Sequence, residues 1–321
     1  MTPSLKTIQS AAAALVVSAA INNLYASENV PHAFFGEWAE VAKRGELITR
    51  LTYQESEAYY IWAGNKRYKT DWRQNGEHYG IDINQAYLTF QYGLNDRWTA
   101  DLSIGFTSSG WRYFSNESAN GASQSTSGLM DISFGVRYQI FKEGEDESRP
   151  WLPTLTFRAG AVLPGSFDEH FPFSPGTSST AIEPELIARK HFGWEGFGAY
   201  ADALFRWNHT SANDQYIIAL GLFQKIQRWE LNVGYRRLHS VDGDEIIFNP
   251  GPGPDDRDIT YPRAPREIQD SIEAGFSYRA KRWDTRMGFM TRTVFDGRNT
   301  DKKFWLGGYV EIPFQLTGDK Q

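Results

Sequence analysis

The residues able to do chemistry here are charged ones that recur every second position in otherwise apolar segments. They are Asp101, Asp131, Arg137, Arg158, Glu183, Glu185, Arg189, Asp202, Arg206, Glu273, Arg279, Arg286, Arg292 and Glu311. On one face of a channel wall such groups set the sign and size of what passes. Interleaved in sign, they also neutralise one another as a salt-bridge ladder, and for any single residue that structural role is favoured. Residues 132–141 show the pattern most cleanly. Ile132, Phe134, Val136, Tyr138 and Ile140 share one face; Ser133, Gly135, Arg137 and Gln139, with Asp131 before them, share the other. A period of two is the strand period.

Other chemistry is weaker. His209 and Ser211 lie two apart near the end of a strand, where a His beside a hydroxyl could serve a lipid acyl hydrolase. His209 shares the face of Trp207, and no third group orients it. Catalytic residues are therefore assigned to none. Asp242, Asp244 and Glu245, and Asp255, Asp256 and Asp258, could offer oxygens to a hard cation, but neither set has the spacing of a calcium loop. Solvated acidic loops fit better, and no metal or other cofactor is expected. Pro250, Pro252, Pro254, Pro262 and Pro265 stiffen the same loop, as a lid or a cover. Phe167, Phe171 and Phe173 in another loop could greet an apolar solute or anchor the loop at an interface.

The elements that position these charges are strands. The chain has 321 residues, no Cys and 15% aromatic residues, and a mean hydropathy of -0.51. No internal run reaches the roughly 20 apolar residues of a spanning helix. A barrel needs only alternate residues to be apolar, so low hydropathy is compatible with it. The net charge of -6 gives no footprint for nucleic acid. Absence of Cys removes thiol ligands and disulfides.

Strands are expected at 46–63, 78–93, 98–107, 125–141, 151–163, 179–191, 197–208, 215–225, 229–239, 267–281, 283–294 and 303–316. Connections alternate short and long, the habit of bacterial outer-membrane barrels, with short turns on the periplasmic side. Two aromatic bands follow. Trp98, Phe141, Trp151, Phe192, Trp194, Trp229 and Trp283 lie beside short turns; Trp62, Trp111, Phe167, Trp207 and Phe295 lie beside long loops. The reading is all-β: a transmembrane up-and-down antiparallel barrel of about 12 strands. Residues 1–26 read as a signal peptide, with an apolar core at 11–21. Residues 27–45 read as a short periplasmic segment or plug, 46–316 as the barrel and 317–321 as a periplasmic tail.

Some stretches resemble a family. Gly128-Leu129-Met130-Asp131, followed by Phe134-Gly135-Val136-Arg137-Tyr138, resembles a strand of the phenol meta-pathway degradation family of outer-membrane barrels. Its usual form is Gly-Leu-Gly-Asp, so Met130 is a departure. Arg158-Ala159-Gly160-Ala161-Val162-Leu163-Pro164-Gly165 resembles the family's next strand, and Pro175 to Ser179 and Ala188 to Gly193 its following loop and strand. The last strand, ending Tyr309-Val310-Glu311-Ile312-Pro313-Phe314, resembles the signal read by the barrel-assembly machinery. The resemblance implies a monomeric barrel in outer-membrane lipid that passes small hydrophobic or aromatic solutes, and not an enzyme. A hydrolase at the rim and a closed structural barrel are the alternatives.

Overall fold

In a computed structural model of the protein the described residues are 34–69, 73–74, 77–78, 81–113, 122–166, 179–193, 196–209, 212–250, 257–260, 262 and 265–316. The wall is one antiparallel sheet whose strands follow chain order and whose last strand pairs with its first. Its strands are β1 (Glu46–Ala63), β2 (Ile81–Gly93), β3 (Trp98–Tyr113), β4 in two halves (Ala122–Leu129 and Ile132–Phe141), β5 (Thr154–Leu163) and β6 (Ala181–His191). They continue as β7 (Phe197–Asn208), β8 (Gln215–Ile226), β9 (Trp229–Ser240), β10 (Ile268–Arg279), β11 (Arg286–Arg298) and β12 (Asp301–Gln315). Counting the halves of β4 once gives a closed 12-strand barrel. Closure runs from Glu46 opposite Gln315 to Ala58 opposite Lys303, with a register shift before Ile61. Closing the sheet leaves no strand edge, the condition for backbone to sit in lipid.

Alternation sets the two faces. In β5, Thr154, Thr156, Arg158, Gly160 and Val162 are buried, while Phe157 and Leu163 are exposed. Exposed Phe134, Leu186, Phe205, Leu220, Leu231, Ile272 and Leu306 continue the outward apolar band. Its lower edge carries the exposed rings Trp98, Phe141, Trp151, Phe192, Trp229 and Trp283, and Trp207 and Phe295 stand at the upper edge. Trp62 corrects the expected upper band. It faces inward and packs with Val294 and Trp305. The side chains of Trp111, Phe167 and Trp194 lie outside the described residues, as do Phe171, Phe173, the signal segment and the tail.

Three local findings refine the strand reading. The β11–β12 connection, expected as a loop over 295–301, is a turn of only Asn299 and Thr300, with Asn299 at φ 48. β3 runs on to Tyr113, past the expected end. β4 breaks at Met130-Asp131, and the break is where the two motifs carrying the family resemblance meet. Gly165 N donates to the Asp131 carboxylate at 3.0 Å, and Ser166 N donates to the Leu129 carbonyl at 2.9 Å. A Cβ on Gly165 would lie 2.1 Å from that carbonyl oxygen, so the corner accepts only glycine.

Candidate functional site: the barrel lumen

Nearly every sequence-derived charge is inside the barrel, and most are grouped around three centres. In the first, Arg158 Nη2 binds Asp101 at 2.8 Å and Ser133 Oγ at 2.9 Å, while its Nη1 faces Glu183 at 3.5 Å and Glu185 at 3.7 Å. Arg206 Nε donates to Glu183 at 2.6 Å, and Arg137 Nη2 donates to Gln91 at 2.6 Å. Arg137 and Arg158 are fully buried. Their charges persist there because carboxylates lie opposite them on neighbouring strands. Gly135 and Gly160 leave the room: a Cβ on Gly160 would lie 2.3 Å from Arg158 Nη1.

The second centre is organised by a residue outside the strands. Residues Phe34–Ala39 form a short 3-10 segment lying within the barrel. Both Glu37 oxygens are engaged: Arg50 Nη2 at 2.7 Å on one, Arg286 Nη2 at 2.7 Å on the other, with Tyr309 donating its hydroxyl at 3.1 Å. Arg50 also pairs with Glu311, Arg286 with Glu230 at 3.2 Å, and Arg189 with Glu230 at 2.7 Å. Burial pushes the Glu37 carboxyl up, but the Arg286 and Arg50 guanidiniums outweigh it and hold the group down at about 2. Toward the opposite wall, carbonyls do the anchoring. Ala39 O accepts from Thr156 Oγ1 at 2.6 Å and Gln139 Nε2 at 3.1 Å; Trp38 O accepts from Arg137 Nη1 at 3.0 Å; and Ala42 N donates to Thr99 Oγ1 at 2.9 Å. The segment therefore crosses the lumen between the β11–β12–β1 wall and the β3–β5 wall. Phe34 and Phe35 join Tyr200, Phe223 and Met290 in an apolar cluster. Gly275 admits the Phe35 ring, which an added Cβ would meet at 2.6 Å.

The third centre lies toward the outer end. Lys303 binds Asp301 at 2.9 Å, and Arg292 faces Glu273 at 3.4 Å. Both cations stand over the Trp305 ring, at 5.2 and 5.0 Å. The motif repeats through the lumen: Arg137 lies over Trp38 at 4.7 Å, Arg50 over Tyr309 at 4.5 Å and Arg189 over Phe223 at 3.9 Å. Asp202 completes the buried inward set.

Two of the expected lumen residues have local partners outside the three centres. Arg279, the last residue of β10, stands at the periplasmic mouth of the lumen, where it lines one cavity with Glu37 and Arg286 and meets Asp284 at 3.4 Å. Asp131 is buried but serves the β4 break. Sequence reasoning missed Glu37, Arg50, Glu230, Asp301 and Lys303. Strand parity could have found Arg50, which alternates with Thr52, Gln54 and Ser56, and Glu230, which alternates with Asn232. Glu37 lies in an irregular segment with no period. Of the candidate hydrolase pair, His209 is exposed at the outer rim and Ser211 lies outside the described residues. Among the described residues no three His, Asp or Glu side chains form a metal-binding group.

The outer end is tied down by Asn299. Its Oδ1 accepts from Gly64 N at 2.7 Å and Ile246 N at 3.0 Å, and its Nδ2 donates to Arg266 O at 2.9 Å. Arg298 Nε donates to Glu245 at 3.1 Å. The two ends of the 241–267 connection are thus fixed to the β11–β12 turn.

This architecture is that of known outer-membrane proteins. The COG4313 outer-membrane channel from Pseudomonas putida F1 superposes with a TM-score of 0.63 at 15% identity, over 88% of this chain and 100% of that one. The P. putida toluene transporter TodX superposes with a TM-score of 0.45 at 11% identity, over 86% of this chain and 92% of its own. No curated protein matches the sequence. Residues 54–258 match the family described as "Putative MetA-pathway of phenol degradation". With most of its length matched, the chain belongs to that family of outer-membrane β-barrels.

Proposed function

We propose that the protein is a passive outer-membrane channel for small aromatic compounds, with residues 34–42 as its plug. The observation that carries this reading is a lumen in which guanidinium groups lie repeatedly over aromatic rings. A small aromatic solute can exchange its own ring for a protein ring at each step, at a cost of about 0.5–2 kcal/mol per cation–π contact. A polar substituent such as a hydroxyl or carboxylate would find donors and acceptors along the same path. An aliphatic solute gains none of the ring contacts. The COG4313 relative and TodX are named as a channel and a toluene transporter, which agrees with this reading. The solute crosses down its gradient, bound by no covalent or redox step.

The test is flux into sealed liposomes of benzenesulfonate, which crosses lipid poorly, against methanesulfonate. Removal of residues 27–42 should raise flux, and raise it more for the aromatic ion. A second reading, a closed structural barrel, is favoured by the complete burial of Arg137, Arg158 and Glu183 between the walls. Absence of flux for either ion after that removal would decide for the closed barrel.

A further inference from the structure

Three periplasmic turns end in the same pair, an arginine followed by a tryptophan: Arg97-Trp98, Arg228-Trp229 and Arg282-Trp283. The tryptophans open strands or stand just before them with rings 42, 47 and 52% exposed on the lipid side. Indole rings settle at headgroup depth, so the arginine next to each is held at the level of the phosphates. The three arginines differ in what they already bind. Arg97 is consumed by Glu145 at 2.6 Å and by the carbonyls of Gln139 and Ile140. On the same arc, Lys190 is taken by Glu143 at 2.6 Å and Arg149 by Asp146 at 3.4 Å. On the opposite arc Arg228, Lys281 and Arg282 are exposed and pair with no carboxylate among the described residues. Of the carboxylates at this mouth, Asp284 faces Arg279, Glu230 faces Arg189 and Arg286, Glu37 faces Arg50 and Arg286, and Glu40 stands on the lumen side. The two turns carrying these cations are joined directly, Arg279 N donating to Arg228 O at 3.0 Å.

We propose that this pair of turns is a binding site for an anionic phospholipid of the periplasmic leaflet. The phosphodiester would sit among Arg228, Lys281 and Arg282, with the acyl chains against Trp229 and Trp283. Charge complementarity selects the ligand: the patch offers three uncompensated cations at phosphate depth, and basic groups there attract anionic lipid. The compensated arc around Glu143 and Glu145 gives no such attraction. The proposal is independent of whether the barrel conducts.

The experiment uses the whole protein in phosphatidylcholine bilayers carrying spin-labelled phosphatidylglycerol or spin-labelled phosphatidylcholine. Electron paramagnetic resonance gives the motionally restricted fraction of each. The native protein should retain phosphatidylglycerol about fivefold or more over phosphatidylcholine at low salt, and the ratio should fall as salt is added. The R228Q/K281Q/R282Q variant should bring it close to unity, and E145Q, which frees Arg97 beside Trp98, should raise it. Heat-modifiable migration checks that each variant is a folded barrel. Equal retention of the two lipids by the native protein, or an unchanged ratio in R228Q/K281Q/R282Q, overturns the proposal.

Discussion

Glu37→Gln tests whether the lumen is held shut by charge. Glu37 takes one guanidinium on each oxygen, Arg50 and Arg286, each at 2.7 Å. The substitution keeps the shape and one acceptor but removes the charge. The shift of the carboxyl from its ordinary 4.5 to about 2 measures how much the docked site favours the ionised form. At about 1.4 kcal/mol per pH unit this is about 3 kcal/mol. Complete loss of a buried partner costs about 3–5 kcal/mol. Arg50 keeps Glu311 and Arg286 keeps Glu230, which places the loss at the lower end. A loss of about 3 kcal/mol raises the undocked fraction roughly 100-fold. Ala39 is fully buried and the chain has no Cys, so Ala39→Cys supplies a single thiol reporter. Maleimide should label Glu37→Gln/Ala39→Cys roughly 100-fold faster than Ala39→Cys, and benzenesulfonate flux through Glu37→Gln should rise in parallel. Equal labelling rates would refute the argument that Arg50–Glu37–Arg286 holds the segment. Faster labelling without flux would instead show that the segment moves but is not the barrier.

The same group gives a pH dependence. Its carboxyl is depressed, so its contribution to docking is complete above 4.5 and is lost as the pH falls through 4.5 toward about 2. The opening constant of Ala39→Cys, its labelling rate divided by that of a free thiol at the same pH, should therefore be flat between about pH 5 and about pH 8 and should rise below that range; an equal change in the Glu37→Gln background would assign the effect elsewhere. Gly160→Ala places a methyl 2.3 Å from Arg158 Nη1, which Asp101 and Ser133 hold in place. Overpacking there should destabilise by about 1–3 kcal/mol and lower the heat-modification midpoint. Gly193→Ala, with nothing within 4 Å, should not. Asn299→Ala removes acceptors for Gly64 N and Ile246 N and leaves an alanine at φ 48. A local loss of about 2 kcal/mol should speed proteolysis within 241–267 roughly 30-fold while the barrel keeps its heat-modifiable migration. Unchanged cleavage would show that the loop is held by other contacts.

Most of the wall was legible because its rule is local. Alternation at Phe134, Val136 and Arg137, or at Phe157 and Arg158, needs only a period of two and lipid on one side. Parity says which side a residue faces but not how far along the barrel it lies, so it did not tell that Arg279 stands at the periplasmic mouth. Trp62 was misread for a related reason. A tryptophan near an outer loop fits either a membrane girdle or a lumen cluster, and the alternation of Arg50, Thr52, Gln54, Ser56 and Ala58 continued to Trp62 gives it the inward side that its place beside a loop obscured. The β11–β12 turn was read as a loop because the apolar run stops near Phe295, although its strand hydrogen bonds continue to Arg298.

Glu37 marks where reading by strands ends. FFGEWA has no strand period and too few residues for a helix stripe, and its sequence says nothing about which wall it meets. The signals for its place are on the wall instead. Arg50, Arg286 and Tyr309 converge from three adjacent strands, β1, β11 and β12, and with Arg189 beside them the guanidiniums meet only Glu311 and Glu230 on the wall, which leaves a surplus of positive charge in that group. On the far wall Arg137, Gln139 and Thr156 present donors to the lumen, and the acceptors they use are backbone carbonyls that no sequence pattern can reveal. A buried surplus of cations facing a row of donors requires a further carboxylate and further acceptors. The 34–42 segment supplies both. Its docking is thus dictated by what one part of the wall leaves unsatisfied: over the whole inward face buried carboxylates outnumber buried cations, and it is the local grouping of Arg50, Arg189 and Arg286 that calls for Glu37.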